Sequence, residues 1–398
     1  MRAVVIQASG MAGAVLSELS GKSPLETANT PTLDSLGAHG ILGLAATTEQ
    51  DHLVGSVPTT LALLGYPPES PILTAGGAVA AAHGVELADD EMVALVDLVG
   101  TRSEESGTES AATLAGLHLP PDARRAVVQS LAETLGDTSM RLHVGLRPYL
   151  VAKGEDLGEM APPPWTLLGR PVSEWRPDGG GRLAQFAQRA RQLLAAHPAC
   201  LDARAQEQPV PTDVWVWGHG RPTTLPSFSE RREVAGRVVA ADPIVLGIGK
   251  LVGLETHAID VSSLAGMPWE AYLTATRSAV DAHPFTLVHL TAIDEAGHRG
   301  DAAAKVQLIE RLESELIVPL LETFRAMGGD WRLLLVADHA TPCDTRKHTT
   351  EPVPFLLASG RDAGRQSKGK RRFHERDARA HGVFIAEAHH LMDRILRR

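Results

Sequence analysis

The segment FTLVHLTAIDEAGHRGDAAAKVQLIERLESELIVPLLETFRAMGGDWRLLLVADH (285–339) sets the architecture. Its flanks, FTLVHLTAI (285–293) and WRLLLVA (331–337), are apolar runs closed by polar turns, the pattern of buried strands. Between them Asp301 is placed to cap a helix, and Gly328 with Gly329 to end it. Val306, Ile309, Leu312, Leu316, Leu320 and Phe324 recur at three- and four-residue steps and give that helix one apolar stripe. Strand, helix and strand in this order predict a right-handed crossover within a parallel sheet. AVVIQ (3–7) supplies another strand of the same kind. The expected class is α/β, with helices flanking a parallel sheet and chemistry at the C-terminal edge of its strands.

A chain of 398 residues exceeds one ordinary core, so two domains are expected. The stretch from about Pro67 to Leu225 is rich in Pro, Gly and charge, and is broken by APPPW (161–165) and DGGG (178–181). Helical patches lie within it at RRAVVQSLAETL (124–135) and RLAQFAQRARQLLAAH (182–197). It is taken as an inserted domain, 71–224, between core segments 1–70 and 225–398, with linkers near PPESP (67–71) and HGRPTTLP (219–226). SKGKRR (367–372) is a short basic run and is taken as a solvated loop.

The net charge of −10 argues against nucleic acid or an anionic membrane as partner. No apolar run approaches the roughly 20 residues that span a bilayer, and the N-terminus makes a poor secretory signal. Cys200 and Cys343 carry no disulfide or metal spacing. A soluble, cytoplasmic protein is expected.

Ligand-type side chains gather where the strands end. The first flank runs into Asp294 and His298, and the second into Asp338 and His339; His348 follows before another apolar strand. Carboxylate with imidazole is the mixed donor set of Zn²⁺ or Mn²⁺. Ser56, in HLVGSVPTTLALLGYPP, sits before a helix-like segment, where an ordinary N-cap and a phosphate-side nucleophile are both open readings.

With these residues in place, the chain resembles the alkaline phosphatase superfamily, and within it the archaeal-type cofactor-independent phosphoglycerate mutases. The likeness runs end to end. It is densest at KSPLETANTPTLDSLGAHGILGL (22–44), GSVPTTLALLGYPP (55–68), VWVWGHGRPTTLPSF (214–228), DEAGHRGDAAAKVQLIE (294–310) and DHATPCDTRKHTTEPVP (338–354). The resemblance implies an alkaline-phosphatase-like core with an inserted smaller α/β cap domain. It also implies divalent metal ions (Mn²⁺, Zn²⁺ or Mg²⁺) and a small-molecule phosphate ester as substrate. One ion would take Asp294, His298 and His348. A second would take Asp338 and His339 beside the nucleophile Ser56, which would carry phosphate between the 2- and 3-hydroxyls of glycerate.

Several positions depart from the family pattern. The strand-end DGM motif is SGM here, so a metal-binding carboxylate becomes Ser9 and the second site is expected to be weakened; Asp51 and His52 are candidate substitutes. Val57 replaces the Asp after the nucleophile, and TGRGP becomes TAGGA (74–78), which puts Gly76 at the arginine. PPHD becomes PPWT (163–166), with Trp165 and Thr166 at the His-Asp pair, and a lysine becomes Leu246 although Lys250 lies one turn on. Arg147 in GLRPYL matches the family's substrate-side arginine. A phosphoglycerate mutase is the leading expectation. A diverged metal-dependent phosphomonoesterase or phosphotransferase is the alternative, and a non-catalytic family member the third.

Overall fold

The computed structural model describes residues 1–48, 55–67, 73–105, 107–135, 139–177, 180–261, 266–363 and 371–397. Asp51 and His52, most of PPESP, part of DGGG and most of SKGKRR lie outside them. The described strands, in chain order, are β1 (Arg2–Ala8), β2 (Ile41–Ala45), β3 (Glu91–Ser103), β4 (Glu109–Thr113), β5 (Met140–His143), β6 (Tyr149–Lys153), β7 (Asp213–Gly220), β8 (Gly236–Ala240), β9 (Glu255–Ala258), β10 (Phe285–Leu290), β11 (Trp331–Val336), β12 (Val353–Ser359) and β13 (Val383–Ile385). The chain divides into two compact units. One is Met1–Pro71, Leu225–Ile259 and Met267–Arg398; the other is Ile72–Thr224 with Asp260–Gly266.

In the first unit eight strands run in the order β13-β2-β12-β11-β1-β10-β8-β9. β1 lies at the centre, parallel to β10 on one side and β11 on the other. Val4, Val5 and Ile6 are wholly buried, as a strand covered on both faces requires. β8 and β9 continue the parallel set beyond β10. On the other side the sheet is mixed, because β12 runs antiparallel to both β11 and β2. No helix links β11 to β12, so the chain returns from the edge at which β11 ended. That return carries His348 to the same edge as Asp338.

Two sequence expectations change in detail. The run FTLVHLTAI is strand only to Leu290; its last residues open the helix Ala292–Arg299, on which Ile293 is a buried apolar contact. A short apolar run cannot by itself separate strand from buried helix. The long helix is present as Ala302–Arg311, a π-type turn Leu312–Ile317, and Val318–Met327, with Asp301 Oδ1 accepting from the Ala304 N–H at 2.9 Å. Leu312, Leu316, Leu320 and Phe324 are spaced by four rather than 3.6 residues, and the wider turn keeps all four buried on one side.

In the second unit β3 is the hub of an all-antiparallel sheet, pairing β4, β6 and β7, with β5 beyond β6. The helices Pro121–Leu135 and Arg182–Ala196 supply Val127, Val128, Leu131, Phe186 and Leu194 to its core. The helix Ala75–His83 packs so closely on β3 that a Cβ at Gly76 would lie 1.8 Å from the Val93 carbonyl oxygen. The position has therefore lost not only an arginine but the room for one. Gly76→Ala is expected to destabilise this unit by about 1–3 kcal/mol in chemical denaturation, as overpacked sites do. An unchanged midpoint would show that the helix is free to withdraw. Trp165 is likewise a core residue, 6% exposed and edge-on to Trp217 at 5.3 Å, while the Thr166 hydroxyl donates to Pro163 O at 2.6 Å. Among the described residues no helix is long and apolar enough to cross a membrane.

Candidate metal centre

Asp294 and His298 stand one turn apart on the helix Ala292–Arg299, so their side chains share a face. Asp294 Oδ2 lies 3.3 Å from His298 Nε2. His348, from the loop before β12, brings its Nε2 to 2.9 Å from His298 Nε2 and 3.5 Å from Asp294 Oδ1. All three side chains are buried. His298 Nδ1 donates to the Arg346 carbonyl at 2.8 Å, which turns Nε2 towards the cluster.

The electrostatics suit a cation. Burial pushes the Asp294 carboxyl up, but the imidazoles of His298 and His348 more than reverse this and hold it well below the usual carboxylate range. Burial, reinforced by His339, pushes His348 down to about 3 against the pull of Asp294. The donor set and its dryness fit Zn²⁺ or Mn²⁺.

Asp338 and His339 follow β11 directly and are also buried. Asp338 Oδ2 accepts from Gln7 Nε2 at 3.1 Å and from the Ser9 hydroxyl at 3.0 Å. Its Oδ1 accepts from the N–H groups of Gly10 at 3.1 Å and His339 at 2.9 Å. Burial raises this carboxyl too, but His339, His289 and the Gln7 bond bring it below its ordinary value. The Thr341 hydroxyl donates to Asp294 Oδ1 at 2.5 Å, so His339 Nδ1 is the donor in its 3.1 Å contact with Thr341 Oγ1. His339 Nε2 is left with no hydrogen-bond partner, 3.5 Å from Asp338 Oδ2, and the ring stacks on His348 at 3.6 Å. One open imidazole beside a saturated carboxylate does not fit a divalent cation as the Asp294 cluster does.

Among the described residues, two groups of side chains are close enough to share an ion. Asp294, His298 and His348 form the well-formed one; Glu387, His389 and His390 form a weaker, more exposed one. The latter, in EAHH (387–390), was not anticipated, although a Glu beside a His pair is a visible signal. Ser56 begins the helix Ser56–Leu63, with Gly55 rather than the serine at the cap. Four residues on, Thr60 accepts from Gln7 Nε2 at 2.9 Å and so ties this helix to the amide that also reaches Asp338. Ser9 is at the tip of β1, as expected. Leu246 is buried in the helix Pro243–Leu251, and Arg147 lies half-buried between β5 and β6 of the second unit.

Sequence reasoning passed over four residues that organise the site. Gly10 combines φ of +63° with a close approach, since a Cβ there would lie 2.5 Å from Asp294 Oδ1. Gln7 was visible as the lone polar residue of an apolar strand. Thr341 stands two residues after His339, and its hydroxyl orients two of the site's side chains. Lys305 is wholly buried and donates to Ala12 O at 3.0 Å and Thr341 O at 2.8 Å, fastening the β1 turn to the loop after β11. Thr341→Val is expected to weaken Mn²⁺ binding about 10–100-fold by calorimetric titration, the usual scale for losing an orienting partner. Equal affinity would show that Asp294 needs no such support.

The comparisons agree with this geometry. Residues 1–393 match the family model described as the Metalloenzyme superfamily. The chain is 30% identical over 407 residues, covering 100% of both chains, to a "Probable 2,3-bisphosphoglycerate-independent phosphoglycerate mutase" of Geobacter sulfurreducens. It is 31% identical to a protein of Methanopyrus kandleri bearing the same name without the qualifier, over 89% of this chain and 86% of that one. Among solved structures, the PH0037 protein of Pyrococcus horikoshii superposes with a TM-score of 0.68 at 24% identity, covering 99% of this chain and 96% of that one. A cofactor-independent phosphoglycerate mutase of Thermoplasma acidophilum gives 0.53 at 20%, covering 100% and 99%. With its buried Asp-His-His cluster at the edge of a sheet centred on β1, the chain belongs to the metalloenzyme superfamily that includes the alkaline phosphatases, and within it to the cofactor-independent phosphoglycerate mutase-like family.

Proposed function

We propose that the protein is a metal-dependent phosphoglycerate mutase, which moves a phosphoryl group between the 2- and 3-hydroxyls of glycerate through a phosphoserine at Ser56. The observation that carries this reading is the hydrogen-bonded path from the end of β11, beside the Asp294 cluster, to the serine's helix. Asp338 bonds Gln7, Gln7 bonds Thr60, and Thr60 stands one turn after Ser56. Asp294, His298 and His348 would hold the ion, which supplies Lewis-acid stabilisation of phosphoryl oxygens. The first turn of the helix Ser56–Leu63 offers backbone N–H groups and a positive dipole end to an anionic phosphate. Ser56 attacks the phosphorus in line and forms an Oγ–P bond as the substrate's O–P bond breaks, its hydroxyl proton passing to the departing substrate oxygen. In the return step the neighbouring hydroxyl takes the phosphoryl group as the Oγ–P bond breaks, and its proton goes back to Ser56 Oγ. In this reading Arg147, in the second unit, is the candidate substrate-binding arginine, since a guanidinium fork suits a carboxylate or phosphate.

A second reading has its own support. Gly76 is packed against Val93 and Trp165 is buried beside Trp217, so two positions that bind anionic substrate in the family pattern have become interior contacts. They favour a phosphomonoesterase or phosphotransferase acting on a less anionic ester. A coupled assay with Mn²⁺ separates the two. Formation of 2-phosphoglycerate from 3-phosphoglycerate is the expected result, whereas release of inorganic phosphate from a generic ester with no isomer formed would favour the second reading.

A further inference from the structure

We propose that this chain has a mononuclear metal centre, and that the position beside Ser9 has been converted from a second cation site into a hydrogen-bonded anchor for the helix beginning at Ser56. This rests on the reading that Asp294, His298 and His348 hold the one ion. A carboxylate presents about four lone-pair sites, and in Asp338 each is engaged by a donor of the chain. Gln7 Nε2 and the Ser9 hydroxyl take Oδ2; the Gly10 and His339 N–H groups take Oδ1. Ser9 has a single proton, and it points to Asp338.

A cation at Oδ2 would have to displace Ser9 or Gln7 in a pocket where Gln7, Ser9 and Asp338 are at most 1% exposed. Gln7 has no slack to yield. Its two amide hydrogens go to Thr60 and Asp338, and its carbonyl oxygen accepts from the Thr60 hydroxyl at 3.3 Å. A displaced amide there would be buried without a partner, a costly state. Among the described residues beside Asp338, His339 Nε2 lies 3.5 Å from Oδ2 with no hydrogen-bond partner. A single imidazole falls short of the three protein ligands that catalytic zinc sites use. The carboxylate instead does mechanical work, linking the tip of β1 through Gln7 and Thr60 to the helix that carries Ser56.

The test counts ions. A His389→Ala variant, which removes the exposed Glu387 cluster, is loaded with Mn²⁺, desalted, and measured by mass spectrometry for metal content and by EPR for coupling. The expected result is one Mn²⁺ per chain with the spectrum of an isolated ion, unchanged by Asp338→Asn and lost in His348→Ala. Adding Ser9→Asp should raise the content to two and produce an exchange-coupled spectrum. Two coupled ions before Ser9 is altered would overturn the proposal, and that arm needs no change near the core. An ion that survives His348→Ala but leaves with Asp338→Asn would overturn it as well. Absence of any ion would also remove the reading beneath it, whatever the mutase assay gives.

Discussion

Replacing Ser56 by alanine is expected to lower turnover at least about a thousandfold, with Mn²⁺ content unchanged. Covalent catalysis divides one difficult displacement into two easier ones, and removing a nucleophile that acts as part of a unit forfeits most of the gain. The substitution should leave the fold intact. Gly55 holds the cap position of the helix Ser56–Leu63, and Thr60 makes the contact that ties the helix to Gln7. Alanine is also the best intrinsic helix former. A matched melting temperature with lost activity therefore assigns the effect to chemistry. Retention of more than about a tenth of the wild-type rate would mean that phosphate passes directly between hydroxyls or through another residue.

His348→Ala is expected to have the larger effect on the metal, reducing Mn²⁺ affinity by more than about a hundredfold, beyond the range for orienting partners alone. The loop before β12 contributes this single ligand, and His298 with Asp294 cannot close the cluster without it. Two further changes compound the loss. His339 loses its stacking partner, and the gap left beside Asp294 admits water to a dry site. Excess Mn²⁺ should restore part of the activity, because Ser56 is untouched. Full affinity in this variant would place the ion elsewhere, with the Glu387 cluster the next position to examine.

Much of the architecture was readable because buried strands and an amphipathic helix leave periodic signals. The helix after Asp301 and the strands on either side of it follow from apolar spacing alone, to within the end of β10. The mixed half of the sheet was not readable, since the direction of β12 depends on where the 338–352 segment runs rather than on the strand's own residues. The candidate metal cluster is legible as an acid-histidine pair, Asp294 with His298, just past a strand end. What the site's side chains touch is not: Gln7, Gly10, Thr341 and Lys305 act through partners up to 331 residues away.

The substitutions tell a related story. Trp165 and Gly76 look in the sequence like missing polar groups, and only packing shows that each has become part of an interior. Ser9 reads in the sequence as the loss of an anion. Its second consequence, a hydroxyl donated to Asp338, needed the geometry of the strand end.

Phosphoryl transfer through Ser56 at a metal centre built from Asp294, His298 and His348 is best tested by trapping it. The Mn²⁺-loaded protein is mixed with 3-phosphoglycerate, quenched in acid within the first turnovers, and its peptides are analysed by mass spectrometry. Phosphate on Ser56, absent from the His348→Ala variant treated in parallel, is the predicted result. Phosphate on a different residue, or isomer formed while Ser56 stays unmodified at every quench time, would contradict it.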